Sequence, residues 1–161
     1  MERIRKIQEH PLFQELVKKL DTAEKNRQFC RHTMEHFLDV ARLMYIYSLE
    51  DGTAIEKDII YAAALLHDLG RYEQLIHGTP HDIAGAGTAE SIMKDCGFQE
   101  DEIESVKAAI LGHRNAASLS SDFPLTVYLY RADKKSRNCF ACPSEPECSW
   151  PEEKKNLWIE Y

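Results

Sequence analysis

The sequence predicts an all-α, single-domain helical bundle, on three observations. Apolar residues recur at steps of three and four through most of the chain, the pattern of helices with one buried face. Turn signals at Glu50-Asp51-Gly52, Gly70, Gly78 with Pro80, and Cys96-Gly97 divide that pattern into segments of helical length. The 161 residues are enough for one core that buries roughly two-thirds of the unfolded surface.

Residues 1 to 20 read as two short amphipathic helices split at His10-Pro11, with Ile4, Ile7, Leu12, Phe13, Leu16, Val17 and Leu20 as packing residues. From about Asp21 to Ser48 the spacing predicts one long helix. Met34, Phe37, Leu38, Ala41, Met44 and Tyr45 form one line and His32, His36, Val40, Leu43 and Tyr47 another, so this helix is expected to be central. His32 and His36, four apart, share a face. Glu56 to Asp68 is a third helical stretch that ends in His67-Asp68, where Gly70 is expected to let the helix stop through a positive φ. A polar loop containing His77 follows.

His81 then opens a helix in which Gly85 and Ala86 permit a close neighbour. Glu100 to Gly112 carries an acidic first turn, as the helix dipole favours, and an apolar stripe of Ile103, Val106 and Ile110 that continues to His113. Residues 115–122 read as a small-polar loop. Phe123 to about Arg137 is the last long helix, and it places Asp133 on a largely buried face, where a carboxylate is costly unless paired or bound to a metal. Residues 139–161 form a Cys- and Pro-rich loop and a polar tail. The expected organisation is thus packing helices over 1–20, a metal-site core over 21–138, and the loop and tail.

Composition limits the function. A formal net charge of −7 argues against a nucleic-acid binder, since phosphate affinity comes mainly from Lys and Arg. The N-terminus has no apolar run behind its charges, and no stretch approaches the roughly 18 apolar residues of a membrane span, so a cytoplasmic location without membrane partners is expected. The pattern itself says nothing of oligomeric state.

His36, His67-Asp68, His81, His113 and Asp133 each fall at an end or on an inward face of a different helical segment, the way bundles build metal sites. Imidazole with carboxylate suits a divalent transition metal, Fe, Mn, Co, Ni or Zn without distinction, better than Ca or Mg. The motifs His36-Phe-Leu-Asp-Val40-Ala41, Ala64-Leu-Leu-His67-Asp68-Leu-Gly70-Arg71, His81-Asp-Ile-Ala-Gly85-Ala86, Ala109-Ile110-Leu-Gly-His113 and Arg131-Ala132-Asp133-Lys134 resemble those of the HD-domain superfamily of metal-dependent phosphohydrolases over about residues 30 to 137. The resemblance implies that His36, His67, Asp68 and Asp133 hold one ion and that His81 and His113, with Asp68 bridging, hold a second. His32 is the alternative register for the first ligand. Its layout is similar to that of bacterial hydrolases that cleave diadenosine tetraphosphate symmetrically.

The implied activity is hydrolysis of a phosphoester or phosphoanhydride in a small, nucleotide-like substrate. Asp68, Arg71 and Lys134 are the expected catalytic residues, and Arg114 and Arg137 further candidate phosphate contacts. Arg71 stands where Lys is common, and its planar fork suits phosphate. HD-type di-iron oxygenases and non-catalytic nucleotide sensors share such a ligand set, so the ligands alone leave both alternatives open.

Cys139, Cys142 and Cys148 suit a separate structural zinc or another thiolate-bound metal, with Cys30 as fourth ligand. Cys30 lies six residues before His36 and Cys139 six after Asp133. If those helices are antiparallel and meet at one metal, both steps move the same way, by about 9 Å.

Overall fold

The computed structural model describes residues 1–159, and within them there are helices and turns and no strand. The tail's last two residues, Glu160 and Tyr161, lie outside the described residues. Eight α-helices follow in order: α1 (Glu2–Glu9), α2 (Pro11–Ala23), α3 (Met34–Glu50), α4 (Lys57–Leu66), α5 (Arg71–His77), α6 (His81–Asp95), α7 (Glu100–Gly112) and α8 (Pro124–Lys135). Short 3-10 turns occupy Ala116–Ser120, Cys139–Ala141, Glu145–Glu147 and Glu152–Lys154.

The bundle is built on α3, α4, α6, α7 and α8, with α3 against α4 and α8, and α7 against α6 and α8. Phe37, Val40, Ala41 and Met44 of α3, Ile60, Ala63 and Leu66 of α4, Ile92 and Met93 of α6, Val106 and Ile110 of α7, and Leu129 and Ala132 of α8 are all fully buried in one core. The N-terminal pair packs on the outside of α4 and α5. Arg3 joins α1 to the core through Asp58 (3.3 Å), Glu56 (3.0 Å) and Glu102 (2.7 Å). His10, at the split between the first two helices, has a capping role. Its Nδ1 accepts from the Leu12 N–H at 3.2 Å and caps α2, ahead of Pro11 at the first turn.

Three expectations are corrected. The helix expected over about 21 to 48 is two helices, separated by a non-helical segment over 24–33. Thr33 caps the start of α3 by accepting from the His36 N–H (3.4 Å), while Glu24 turns inward and accepts from the backbone N–H of His32 (2.8 Å). A side chain that takes over a backbone donor removes the reason for that donor to stay helical. His32 and His36 therefore do not share a helix.

The loop expected after Gly70 contains α5, whose C-terminal cap Gly78 takes φ +78°, where a side chain is disfavoured. Gly70 itself has φ −69°, so it is not there for a positive φ. A Cβ at Gly70 would overlap the His81 carbonyl oxygen and stand 2.5 Å from the Gly85 nitrogen, so glycine is required because α6 crosses directly over it. Gly85 makes the reciprocal approach, since a Cβ there would be 3.2 Å from the His67 carbonyl oxygen.

Candidate metal centre

The crossing of α4 and α6 sets His67 and Asp68 beside His81. Asp68 is 1% exposed, and each of its oxygens faces a different set of nitrogens. Oδ2 stands 3.1 Å from His67 Nε2 and 3.7 Å from His36 Nε2, and Asp133 Oδ1 closes this side at 3.4 Å from His36 Nε2 and 3.8 Å from His67 Nε2. Oδ1 stands 3.4 Å from His81 Nε2 and 3.7 Å from His113 Nε2. Two groups able to hold a metal ion result, His36, His67, Asp68 and Asp133 in one and Asp68, His81 and His113 in the other.

The donor chemistry fits cations. His67 Nδ1 meets the Ala64 carbonyl at 2.8 Å, and His113 Nδ1 meets the Ile110 carbonyl at 2.5 Å. A carbonyl only accepts, so each ring carries a proton on Nδ1 and in its neutral form aims the Nε2 lone pair inward. His81 is fixed likewise by Gln74 Oε1 on its Nδ1 (2.5 Å). His67 Nε2 is buried facing the carboxylate oxygens of Asp68 (3.1 Å) and Asp133 (3.8 Å) without forming a hydrogen bond of ordinary geometry, a polar atom left for a cation to satisfy. His81 Nε2 and His113 Nε2 face each other at 3.1 Å. Two lone pairs at that distance repel, and a cation held by both rings would relieve that repulsion.

Charge inside the cluster is polarised. Burial by itself would lower the His67 pKa, but the Asp68 and Asp133 carboxylates outweigh it and push it up to about 10. Burial, with Arg71 adding to it, pushes His81 down to about 3. Burial would favour the acid forms of Asp68 and Asp133, yet the surrounding imidazoles hold both well below the usual carboxylate range. The sign of the linkage follows. In metal-free protein the His67 contribution to stability is complete below pH 6.5 and is lost as the pH rises towards 10, while metal binding needs the unprotonated ring and strengthens in that direction. The rise in Tm on adding Mn or Zn should therefore grow between about pH 6 and 8.5 and reach the equivalent of about 2.7 kcal/mol at a hundredfold excess over Kd. A metal-induced rise that shrinks with pH would contradict this ligand chemistry.

The remaining candidates divide into those at the centre and those apart from it. His32 is buried with its Nε2 3.6 Å from Asp68 Oδ2 and its Nδ1 2.7 Å from Glu24 Oε1. Arg71 Nε donates to Asp68 Oδ1 at 3.1 Å. Arg137 lies between His36 Nε2 (3.1 Å), the Arg31 carbonyl (3.0 Å) and Asp133 Oδ1 (3.8 Å). Lys134 Nζ donates to Asp133 Oδ2 at 2.5 Å. Arg114 is exposed beyond His113 and reaches the centre only through the effect of its charge on His81. His77 is exposed at the end of α5.

Three residues that orient histidine rings at the centre had no signal in the spacing. Glu24 orients His32, Gln74 orients His81, and Ser136 Oγ meets His36 Nδ1 at 3.1 Å. Each orients a ring through its second nitrogen, which also raises ligand basicity. Beside the centre lies a cleft of about 300 Å³ lined by Arg27, Arg71, Lys134, Arg137, Phe29 and Trp150, with Cys30 and Cys148 at its border and the buried His32 and Asp133 also in its wall. The four cysteines Cys30, Cys139, Cys142 and Cys148 line a neighbouring cavity. The helix-rise argument for bringing them together does not apply, because Cys30 is in the segment before α3 and Cys139 is in a 3-10 turn.

An all-α bundle with imidazole and carboxylate ligands gathered from five segments defines a metal-binding helical domain. The HD domain family matches residues 33–138, and the chain belongs to that family. It is similar to an uncharacterized protein of Clostridium beijerinckii, 44% identical over 138 residues that cover 86% of this chain and 85% of that protein. No solved structure matches it. No helix is long and apolar enough to cross a membrane, among the described residues.

Proposed function

We propose that the chain is a single HD domain over residues 1–161 and a two-metal phosphohydrolase that cleaves a phosphoester or phosphoanhydride bond of a small, nucleotide-like substrate. The observation that carries this reading is Asp68, whose two oxygens face two separate ligand groups, the arrangement of a bridging carboxylate. Divalent ions held by these residues would supply Lewis acidity and lower the pKa of a bound water so that hydroxide is available near neutral pH.

The protein's own residues do the rest. Arg71 is held through Nε by Asp68, which leaves its two terminal nitrogens for phosphate oxygens. Lys134, partly exposed beside Asp133, and Arg137 add positive charge to the same cleft. Phe29 and Trp150 give the cleft aromatic surface for the base of a nucleotide.

Protein purified without oxygen and loaded with Mn, Co, Fe or Zn should release phosphate or a nucleoside phosphate from a panel of nucleotides under anaerobic conditions. Turnover that appears only when oxygen is admitted would assign the centre to oxygenase chemistry. Nucleotide binding without turnover on any metal would assign it to sensing. Arg71→Ala should raise KM about tenfold or more, the worth of one charge-assisted contact of about 1.5 kcal/mol, with metal content unchanged. Unchanged KM on the best substrate would remove Arg71 from the phosphate site.

A further inference from the structure

Cys30, Cys139, Cys142 and Cys148 belong to neither ligand group of the centre, although Cys30 and Cys148 also border the cleft and His36 stands in the wall of their own cavity. All four are free thiols, and all four line one cavity of about 240 Å³ together with Phe29, Arg137, Trp150 and Lys155. The remaining cysteine, Cys96, is buried apart from them at the end of α6.

Local structure builds this convergence. Cys139 opens a 3-10 turn that Cys142 closes, its N–H donating to the Cys139 carbonyl at 3.1 Å, and Pro143 then sends the chain away. A second such turn, Glu145–Glu147, delivers Cys148. The loop is stitched to the segment carrying Cys30: Ser144 Oγ donates to the Gln28 carbonyl (3.2 Å) and Gln28 Nε2 donates to Glu147 Oε2 (2.5 Å). On its other side the Asn156 amide donates to the carbonyls of Lys134 (2.7 Å) and Arg137 (2.9 Å), and the Asn156 carbonyl accepts from the Phe140 N–H (3.0 Å). The thiols sense one another. Burial raises the Cys30 pKa, Arg137 opposes the rise, and Cys139 and Cys142 add to it.

Separation decides between two kinds of thiolate site. Around one zinc, bonds of about 2.3 Å put tetrahedral sulfurs about 3.8 Å apart. Among the described residues no three of these thiols lie mutually within 4.8 Å, although the imidazole and carboxylate groups of the metal centre do. The four sulfurs line one cavity of about 240 Å³ without closing to the spacing of a single tetrahedral ion. A [4Fe–4S] cluster needs that arrangement, because each thiolate binds a different iron at a corner of the cube.

We propose that Cys30, Cys139, Cys142 and Cys148 ligate a [4Fe–4S] cluster that staples the segment before α3 to the loop after α8. The Cys-x-x-Cys turn followed by proline supplies ligands for two of the four irons, and Cys30 and Cys148 supply the others from separate segments. Arg137 in the cavity wall opposes the negative charge that the thiolates bring, while Lys155 there is already paired with Glu145 at 2.8 Å. The staple has a position relative to the metal centre: His32 and His36 follow Cys30, and Asp133 and Arg137 precede Cys139, so both strands of chain that it joins lead directly into ligands or their neighbours.

The test counts iron, zinc and acid-labile sulfide in protein purified without oxygen, and again after anaerobic reconstitution with ferrous iron and sulfide under a thiol reductant. Iron at the imidazole and carboxylate centre brings no sulfide, so sulfide reports on the thiols alone. The expected result is about four sulfides per chain with the broad visible absorption of sulfide-bridged iron, retained in Asp68→Ala and lost in the Cys30→Ser, Cys148→Ser double variant. Zinc bound with no sulfide even after reconstitution, or sulfide retained by the double variant, would overturn the proposal. Should the double variant fail to fold, alkylation of the native protein decides: Cys30, Cys139, Cys142 and Cys148 should be protected until iron is chelated. Their free alkylation in reconstituted protein counts against the cluster.

Discussion

Asp68→Ala is expected to empty both ligand groups together, from about two ions per chain to none that survives gel filtration, and to lower turnover by more than the roughly hundred- to thousandfold that the loss of one stabilising group costs. The reason is that one buried carboxylate supplies an oxygen to each group. His81→Ala or His113→Ala should leave the group of His36, His67 and Asp133 loaded, since neither belongs to it. Asp68→Asn keeps the side-chain shape and separates loss of metal from loss of fold. In metal-free protein Asp68→Ala also leaves Arg71 and the facing imidazoles without their acceptor, a loss of about 3–5 kcal/mol. Metal content per chain unchanged in Asp68→Ala and Asp68→Asn would show that the ligand groups are misassigned.

The second large effect is purely steric. Gly70→Ala should destabilise the fold by about 3 kcal/mol or more, the upper end for overpacking, because the new methyl group meets only backbone, which no rotamer change relieves. For a chain of this size that is a fall in Tm of roughly 6–12 °C. Separating α6 from the end of α4 also moves His81 away from Asp68, so the metal-induced rise in Tm should shrink in the same variant. Gly87→Ala is the control. Gly87 lies in the exposed interior of α6 with nothing within 4 Å of a Cβ, and alanine there should stabilise by about 0.5–1 kcal/mol. Equal melting temperatures for wild type and Gly70→Ala would refute the crossing as described.

What the sequence revealed and concealed follows from how far apart the determining contacts lie. The boundaries of α6 and α7 were legible because the signals are local: Pro80 and His81 open one, Gly97 at φ +84° follows it, and the Gln99 and Glu102 side chains cap the next. The break over 24–33 was not, since the apolar spacing runs on while the break is made by Glu24 reaching eight residues along to His32. Helix α5 was hidden because it has no buried residue of its own and owes its place to α2 and α6 packed beside it. The Gly70 turn was located correctly and explained wrongly, as its neighbour across space is 11 or more residues away in sequence. In the same way the ligand positions could be read from motif spacing, but Gln74, Ser136 and the cleft-lining Phe29 and Trp150 depend on how the segments meet.

The distribution of ligands also bears on how the chain is completed during synthesis. His36 stands in the first turn of α3 and Asp133 near the end of α8, so the first ligand group spans almost the whole metal-site core. A nascent chain that has emerged only as far as α7 presents His67 and Asp68 with His81 and His113 but lacks Asp133, and the four thiols remain split between Cys30 and a loop not yet made. Neither the complete imidazole and carboxylate group nor the thiol cavity exists until the last helix docks on α3. Ion capture by the group that needs Asp133 is then a late event that draws the folding equilibrium forward by mass action, whereas Asp68, His81 and His113 are all present once α7 has emerged.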